Sequence, residues 1–506
     1  MMAAVRNLLI VLALLLVPGA AHAKSGDAER AEPIYQKRCI GCHGEEGDAD
    51  TEAAERFNPP PRDFTLGLYK VKTSAFSEDY PNDEDIFRMI RDGMPGTVMP
   101  GWGDMLSEQD MWDLVAYLKA FAEIEEAPEA QLDYGTQVKS SPESIAVGRK
   151  LFLDGDRCSE CHGVAGKGDG IKKLKDDNGF RTWPRNLTKP WFYRATNDPK
   201  DIFQRISVGI PGTQMPSFAD PKSKKKLGIE ERWHIANFVA SLAKTREVVD
   251  AAKTVIKAAR TEGGAPEDPV DPRWDAVEPA TFVLVPQLIG DTRFFTPSND
   301  TITVRAAYDD KTLALLLEWD DRTKSIPGDA KAMAIADAEM GEDAVAVQLP
   351  LTLAASSEKP YFLYGDAAKP VTLWKWSSGT TEEAETVRQV DAKGLADLSE
   401  REATDLTARS IYKDGTWRVL LRRPLGDAAE PKIEEGRFVP ISFMAWDGSN
   451  SEVDSKHTLT TWYWLLLEPA DSAKPYFVAG LVALLLLLAE IWWARSANRR
   501  RAEETV

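Results

Sequence analysis

The feature that most constrains this 506-residue chain is a short cysteine motif that occurs twice. The sequence reads CIGCH at 39–43 and CSECH at 158–162, and these two segments contain all four cysteines. Cys-x-x-Cys-His is the signature of c-type haem attachment. A thioredoxin-like redox pair does not need the histidine, and a zinc site needs further ligands nearby. We therefore predict two haem c groups. Their covalent and proximal ligands are Cys39, Cys42, His43, Cys158, Cys161 and His162.

A second repeated stretch predicts the sixth iron ligand. Residues 85–100 read DIFRMIRDGMPGTVMP and residues 201–216 read DIFQRISVGIPGTQMP, so the two align without a gap. In this alignment Met99 faces Met215, whereas Met94 has no methionine opposite it. Methionine is a common second axial ligand of c-type haem. We predict Met99 and Met215 as the distal ligands, with core filling as the alternative role.

Each repeat resembles a small class I cytochrome c. The resemblance covers roughly residues 30–245 and rests on the haem motif, the Met-Pro loop and a C-terminal helical stretch. That stretch reads DMWDLVAYLKAF at 110–121 and ERWHIANFVASL at 231–242. The resemblance implies two all-α domains, at 24–125 and 140–250, with six-coordinate haems that pass electrons and bind no substrate.

Both repeats also carry an arginine after a proline. PRDFT at 61–65 matches PRNLT at 184–188. Guanidinium groups bind carboxylates through paired, charge-assisted hydrogen bonds. Arg62 and Arg185 are therefore candidates for binding the haem propionates, and an ordinary surface role is the alternative.

The two ends of the chain carry targeting signals. An apolar run at 8–17 precedes the small-residue site AHA, which predicts a signal peptide at 1–23 and export of the mature chain. Residues 476–494 form an apolar stretch about long enough to cross a bilayer, and the arginine-rich tail at 495–506 follows. By the positive-inside rule, we expect a single-pass protein of a bacterial cytoplasmic membrane, with its bulk in the periplasm and its tail in the cytoplasm.

The second half of the chain has a different pattern. Residues 251–270 include TEGGAPEDP and predict a linker. Runs rich in Val, Leu, Thr and aromatics then alternate with turn signals, such as TLALLLEWDD at 312–321, and predict an all-β sandwich at 271–469. The chain is thus multidomain: two cytochrome domains, the sandwich and one transmembrane helix. The net charge of −18 argues against a nucleic-acid partner.

Several segments of this half match a known haem subunit in order and spacing. They include DPRWDAVEPATFVLVPQ at 271–287, GEDAVAVQLP at 341–350 and ISFMAWDGSNSEVDSKHTLTTW at 441–462. On these segments the half resembles the gamma subunit of the ethylbenzene dehydrogenase and dimethyl sulfide dehydrogenase group. The resemblance implies a β-sandwich with one b-type haem between Met and Lys ligands, and partner subunits that carry iron–sulfur clusters and molybdopterin.

Of the two haem ligands of the family, only the lysine has a counterpart of the same residue type in this chain. Lys456 occupies a plausible place for the lysine of the family. Where the family has a methionine before a glycine, this chain has Tyr364 before Gly365. Tyrosine can ligate haem iron, and His457 is a conceivable ligand, although a strand-edge histidine is the simpler interpretation. The sequence therefore leaves open whether the chain binds one haem b in addition to the two haem c groups.

These features together predict a membrane-anchored multihaem electron-transfer subunit. It would relay electrons between a molybdopterin/iron–sulfur oxidoreductase, of the nitrite/nitrate type or a related one, and a respiratory cytochrome, oxidase or quinol complex. The sequence identifies no catalytic residue. The alternatives are a stand-alone dihaem c dehydrogenase or peroxidase, or a dihaem cytochrome whose haem-free sandwich docks a partner or binds a ligand.

Overall fold

The computed structural model describes residues 26–503, with gaps. Outside the description are 55–56, 58, 96, 178, 180, 191–192, 244–252, 291–296, 327, 337–338, 354–357, 380–385, 402–404, 427–430 and 470–473. The predicted signal peptide at 1–23 and the last residues of the predicted tail, 504–506, lie outside the described residues.

The described residues of the first repeat form four helices. They are α1 (Ala28–Arg38), α2 (Ile40–His43), α3 (Asp83–Asp92) and α4 (Glu108–Phe121). The carboxylate of Asp27 caps α1 by accepting hydrogen bonds from the amides of Glu29 and Arg30, and such caps satisfy amides that have no partner inside a helix. Helices α1 and α4 pack together, and a two-point ion pair between Arg30 and Asp113 joins them.

The second repeat has the same helices in the same order. They are α5 (Pro142–Leu153), α6 (Ser159–His162), α7 (Pro199–Val208) and α8 (Ile229–Ser241). Two short antiparallel strands, β1 (Leu174–Lys175) and β2 (Arg181–Thr182), lie between α6 and α7. The prediction of an all-α domain is therefore incomplete for this repeat. Segments of two residues are too short for periodicity to reveal them.

Helices α5 and α8 cross at a glycine. A side-chain carbon added at Gly148 would lie only 2.0 Å from the backbone oxygen of His234. The absence of a side chain at Gly148 therefore lets the two backbones approach closely. In the first repeat, a side-chain carbon added at Gly26, just before α1, would lie 1.9 Å from the backbone oxygen of Trp112 in α4. The crossing holds the helix that leads into each cysteine motif against the last helix of its domain.

The second half of the chain forms one large sheet. Its strands are β3 (Val255–Arg260), β4 (Ala280–Val283), β5 (Val285–Pro286), β6 (Thr301–Tyr308), β7 (Thr312–Asp320), β8 (Ala344–Pro350), β9 (Val371–Ser377), β10 (Thr386–Ala392), β11 (Leu398–Arg401), β12 (Thr407–Lys413), β13 (Thr416–Pro424), β14 (Phe438–Trp446), β15 (Thr458–Leu459) and β16 (Tyr463–Leu467). The main path runs β11-β10-β9-β8-β14-β16-β3-β6-β7-β13-β12. A short helix, α9 (Ala330–Ile335), lies between β7 and β8.

The linker predicted at 251–270 contains a strand of this sheet. Strand β3 pairs in parallel with β16 on one side and with β6 on the other. Ile256 and Ala258 are buried while Lys257 between them is exposed, which is the alternation of a half-buried strand. The pattern was missed because it lasts only six residues and is followed at once by Gly- and Pro-rich turns. The β domain therefore begins before residue 271.

Two hydrophobic clusters cover the two faces of strands β8, β9 and β14. Alternate residues such as Val347, Trp376 and Phe443 join the inner faces of β6, β7 and β13 in the main core. Their sequence neighbours, including Ala346 and Met444, form a second cluster on the opposite face. This part of the sheet is therefore buried on both sides, which explains its nearly continuous apolar sequence.

The three folded units contact one another through charged and polar groups. Arg88 of α3 makes a bidentate ion pair with Asp201 of α7, across the two helical domains. The buried Lys189 reaches from the second helical domain to Asp300 and Asp320 of the β domain, at 2.9 Å from each. The ion pairs at both boundaries involve half-buried or buried side chains, so solvent screens them less than it screens exposed pairs.

The chain ends in one long helix, α10 (Lys474–Glu503). Its segment Phe477–Ala497 is long and apolar enough to cross a membrane, and it contacts no other part of the described protein closely enough to be buried. This segment contains most of the stretch predicted at 476–494. A helix that is apolar on all sides and unburied by protein fits a lipid environment.

We expect Gly148→Val to destabilise the second helical domain. The added carbons meet the backbone of α8, and overpacking of this kind costs about 1–3 kcal/mol. The matched control is Ala146→Val, which places the same side chain on the exposed face of α5 and should cost only about 0.5 kcal/mol of helix propensity. Denaturant titration measures both. Equal losses in the free energy of unfolding of the two variants would contradict the close crossing of α5 and α8.

Candidate functional site

A large apolar pocket opens inside the first helical domain. It encloses about 1220 Å³ of empty space, including its open mouth, and Cys39, Cys42, His43 and Met99 all line it. Much of the remaining lining comes from apolar residues of α3, α4 and the two loops between α2 and α4. The structure thus brings together the four residues that the sequence predicted as haem attachment and iron ligands.

The histidine of each cysteine motif is oriented by a backbone carbonyl. Nδ1 of His43 donates to the carbonyl oxygen of Arg62 at 2.9 Å, and Nδ1 of His162 donates to that of Arg185 at 3.0 Å. A carbonyl oxygen can only accept, so the proton lies on Nδ1 and Nε2 keeps its lone pair free. Burial lowers the pKa of both imidazoles, which favours the neutral form. A neutral ring with free Nε2 is the form that ligates a metal.

The Gly-x-Pro-Gly-Thr-x-Met loops have the same hydrogen bonds in both domains. The amide of Met94 donates to the carbonyl oxygen of Met99 at 3.1 Å, and the amide of Met99 donates to Oγ1 of Thr97 at 3.2 Å. Ile210, Met215 and Thr213 repeat these contacts with the same two distances.

The first glycine of each loop has a left-handed backbone. Its φ is +69° at Gly93 and +73° at Gly209, a region that favours glycine. The motif therefore specifies one loop shape that presents the methionine, and Met94 and Ile210 contribute backbone groups to it.

The second domain arranges its predicted ligands in a comparable way. Cys158 and Met215 both pack against the hydrophobic core of this domain. Burial raises the pKa of the Cys158 thiol to about 12 and that of the Cys39 thiol to about 11. Thiols held neutral in apolar surroundings lack the reactivity expected of a redox-active pair.

A group of cations lies where the two helical domains meet. Arg194 belongs to the second domain but lines the pocket of the first, together with Arg62 and Lys70. Arg185 and Arg205 are close enough to lower the pKa of Arg194 further, to about 9, after burial, which is the main cause. Burial and then Arg194 lower the pKa of Lys70 to about 8. Clusters of like charge at a buried boundary are costly unless an anion joins them.

These cations lack carboxylate partners in the structure. Among the described residues, no ion pair within 4.0 Å forms at Arg62, Lys70, Arg185 or Arg194, and the buried Nε of Arg194 has no hydrogen-bond acceptor. Nε is a strong donor, and a buried donor without an acceptor costs about 1–3 kcal/mol. The cluster therefore has the character of a binding site for carboxylate or phosphate groups.

Arg194 and Lys70 were not identified from the sequence. The available signal was the repeat itself, because LYK at 68–70 and FYR at 192–194 follow the shared Pro-Arg segments at nearly the same distance. One inserted residue in the second copy breaks the alignment at this point. Both cations line one pocket because the two domains lie close together. This proximity is a tertiary property that no local sequence pattern encodes.

The residues considered for a b-type haem are arranged differently from the expectation. The hydroxyl of Tyr364 lies 3.1 Å from Nε2 of the fully buried His457. The Nζ of Lys456 instead donates to the carbonyl oxygen of Asn450. The structure therefore pairs Tyr364 with His457, while Lys456 bonds to the backbone of Asn450. His457 directly precedes the short strand β15 and is fully buried, with its ring 4.7 Å from that of Trp446.

The first domain fits a c-type haem in shape and chemistry. An apolar macrocycle matches the pocket walls, the cysteines are free thiols, and the histidine is held in the ligating tautomer. The unpartnered cations at the domain boundary would meet the acidic side groups of such a cofactor. Cys39, Cys42, His43 and Met99 would hold it, and Cys158, Cys161, His162 and Met215 would do so in the second domain.

Comparison with known families confirms the resemblances predicted for both halves of the chain. Residues 26–118 match the family of cbb3-type cytochrome c oxidase subunit III, and residues 145–243 match cytochrome c. Residues 271–395 match the ethylbenzene dehydrogenase family. The matches cover the two repeats and the first part of the β domain.

Individual relatives agree with these matches. A protein of Haloferax mediterranei, named as respiratory nitrate reductase haem subunit ORF7, is 26% identical over 45% of this chain and 79% of its own length. Chlorate reductase subunit gamma of Ideonella dechloratans is 26% identical over 44% of this chain and 89% of its own length. Cytochrome c55X of Paracoccus denitrificans is 32% identical over 22% of this chain and 91% of its own length.

A solved structure is also similar in sequence. It belongs to the reducing HAO-like protein complex of Kuenenia stuttgartiensis, is 36% identical, and covers 44% of this chain and 98% of its own, with a TM-score of 0.40. With its two matched repeats and its third matched domain, this chain belongs to the cytochrome c family and joins tandem cytochrome c domains to a domain of the ethylbenzene dehydrogenase gamma-subunit type.

Proposed function

We propose that the chain is a membrane-anchored electron-transfer subunit with two haem c groups. It relays electrons between a molybdopterin/iron–sulfur oxidoreductase of the nitrite/nitrate type and a respiratory-chain cytochrome, oxidase or quinol complex. The observation that carries the proposal is the pair of equivalent ligand sets in domains that contact each other directly. The relatives named as nitrate and chlorate reductase subunits support the choice of partner enzyme.

The protein residues would position and tune the cofactors. Haem c supplies a one-electron couple whose potential depends on axial ligation, burial and nearby charge. The carbonyl groups of Arg62 and Arg185 fix the two histidine rings, and the Thr-braced loops present the methionines. With both axial positions filled by protein, each site would exchange electrons without binding substrate.

The cation cluster would bind the acidic groups of both haems. Arg62 and Arg185 would each bind propionates in their own domain, as the shared Pro-Arg segments suggest. Arg194 would reach from the second domain to the first pocket and so bring the two cofactors to one boundary. A short separation across this boundary would suit electron exchange between them.

The remaining parts would place this pair in a larger assembly. We propose that the β domain is a sandwich that docks the partner oxidoreductase, and that α10 anchors the chain in a bacterial cytoplasmic membrane. In that arrangement the signal peptide exports the folded units to the periplasm, and the arginine-rich end stays in the cytoplasm. A b-type haem near Tyr364 and Lys456 would extend the chain of cofactors.

Cofactor analysis of the purified full-length protein tests the proposal. The pyridine haemochrome should show two covalent c-type haems per chain, and the reduced protein should not bind carbon monoxide rapidly. An additional haem that acid acetone extracts would establish the b-type site in the β domain. Rapid carbon monoxide binding to a c-type haem would instead indicate an open coordination position and favour the catalytic alternative.

We expect Met99→Ala and Met215→Ala each to convert one c-type haem from low spin toward high spin. Loss of the thioether leaves one axial position without a strong ligand. Absorption and electron paramagnetic resonance spectra measure the change. The matched control is Met94→Ala, which also alters a methionine lining the first pocket but should leave both haems low spin. High-spin conversion in the control alone would assign the ligand to Met94.

We expect Arg194→Gln to lower the midpoint potentials of both haems. A cation stabilises the reduced state, because reduction adds a negative charge. At roughly 10 Å and an effective dielectric constant of about 20, the loss amounts to on the order of 1–2 kcal/mol, or some tens of millivolts. Redox titration measures it, with the exposed Arg149→Gln as the control. A shift in only one haem would show that Arg194 does not serve both.

A further inference from the structure

Three buried carboxylates meet in the β domain, far along the sequence from the cysteine motifs. Asp321 follows β7, Asp343 precedes β8 and Asp447 follows β14. One oxygen from each lies within 4.8 Å of one from each of the others. Their exposed fractions are 5%, 0% and 0%. Three loops from different strands therefore converge on a point that solvent does not reach.

The buried carboxylates at this point outnumber the arginine that lies beside them. Glu452, which is also buried, accepts a hydrogen bond from the amide of Asp447 at 3.0 Å and adds a fourth acidic group. Arg322 is adjacent, but its Nε donates to the carbonyl oxygen of Gly168 and its guanidinium stacks 4.2 Å from the ring of Trp183. Ionised carboxylates in such surroundings need a compensating cation.

The hydrogen bonds of the three carboxylates leave one oxygen unused. Asp343 accepts from the amides of Ser325 and Gly448 and from Nε1 of Trp417. Oδ1 of Asp447 accepts from the amide and the hydroxyl group of Ser449, and Oδ2 of Asp447 accepts from the hydroxyl group of Ser298.

Asp321 differs from the other two carboxylates. Its Oδ1 accepts from the Thr323 amide, but its buried Oδ2 has no hydrogen-bond donor among the described residues. A buried carboxylate oxygen without a donor, next to two further carboxylates, lacks a positively charged partner.

We propose that Asp321, Asp343 and Asp447 bind a divalent calcium ion that holds these three loops together. All three ligands are carboxylates, which hard cations prefer, and no nitrogen or sulfur ligand belongs to the group. Oxygens bound at about 2.3–2.6 Å from one ion lie at most about 5 Å apart. The spacing of the three carboxylates satisfies this limit.

The site lies beside the contact between the β domain and the second cytochrome domain. Arg322, next to Asp321 in sequence, donates to Gly168 of that domain. In α9, between the loops of Asp321 and Asp343, Lys331 forms an ion pair with Asp169 at 2.7 Å. Calcium would thereby fix the surface of the β domain on which the second haem domain rests.

Elemental analysis of the full-length protein tests the proposal. After dialysis against calcium-free buffer and then a micromolar calcium buffer, we expect one equivalent of calcium per chain, and a lower melting temperature when EGTA is added. Asp321→Asn, which keeps the shape of the side chain, should lose at least nine-tenths of the calcium. Asp275→Asn, at an exposed position of the same domain, should keep it.

The calcium content of the unaltered protein and the effect of EGTA on its melting temperature test the proposal even if a variant fails to fold. Less than a tenth of an equivalent of calcium and no effect of EGTA would overturn the proposal. A more stable Asp321→Asn protein without calcium dependence would show that the carboxylates share protons instead. Calcium loss that is equal in the two variants would place the ion elsewhere in the chain.

Discussion

The organisation of both cytochrome domains depends on one hydrogen bond, from the imidazole Nδ1 to a carbonyl oxygen in the Pro-Arg segment. It joins the cysteine motif to a loop about twenty residues later, since His43 bonds to Arg62 and His162 to Arg185. The bond orients the ring and fixes the tautomer, so Nε2 remains available to iron. In the first domain, the Arg62 side chain lines the pocket that also contains His43. The repetition of this bond at nearly the same length, in domains of different sequence, indicates that the geometry is required by the cofactor.

Docking of the two domains adds a property that neither domain has alone. The ion pair of Arg88 with Asp201 and the hydrogen bond from Gln204 to the carbonyl oxygen of Lys72 hold the domains together. This brings cations of both domains to one boundary, at an electrostatic cost to the protein without its cofactors. Anionic haem groups would remove that cost. Cofactor binding and domain docking should therefore stabilise each other, which links folding of the pair to haem attachment.

The cytochrome domains could be predicted from the sequence in some detail because their haem-binding residues lie within short motifs. Spacing alone indicated the cysteines and histidines, and comparison of the repeats separated Met99 from Met94. The cross-domain role of Arg194 could not be predicted, because it depends on how two domains pack. Strand β3 was missed because six residues carry too little periodicity beside a turn-rich segment. Tyr364 was noticed only through a resemblance, and its partner His457 emerged from the pairing of distant loops.

The β domain shows how a related fold can keep its frame while altering a site. Its acidic cluster joins the ends of β7, β8 and β14, and β8 and β14 lie in segments that resemble the gamma-subunit family. Its Tyr364–His457 pair lies against the opposite face of β8 and β14 from the main core. The two features are thus separated in space: the acidic cluster lies beside the contact with the second cytochrome domain, and Tyr364 stands where the resemblance implies a haem ligand. A change at Tyr364 would therefore leave undisturbed the contact that Arg322 and Lys331 make with the second cytochrome domain.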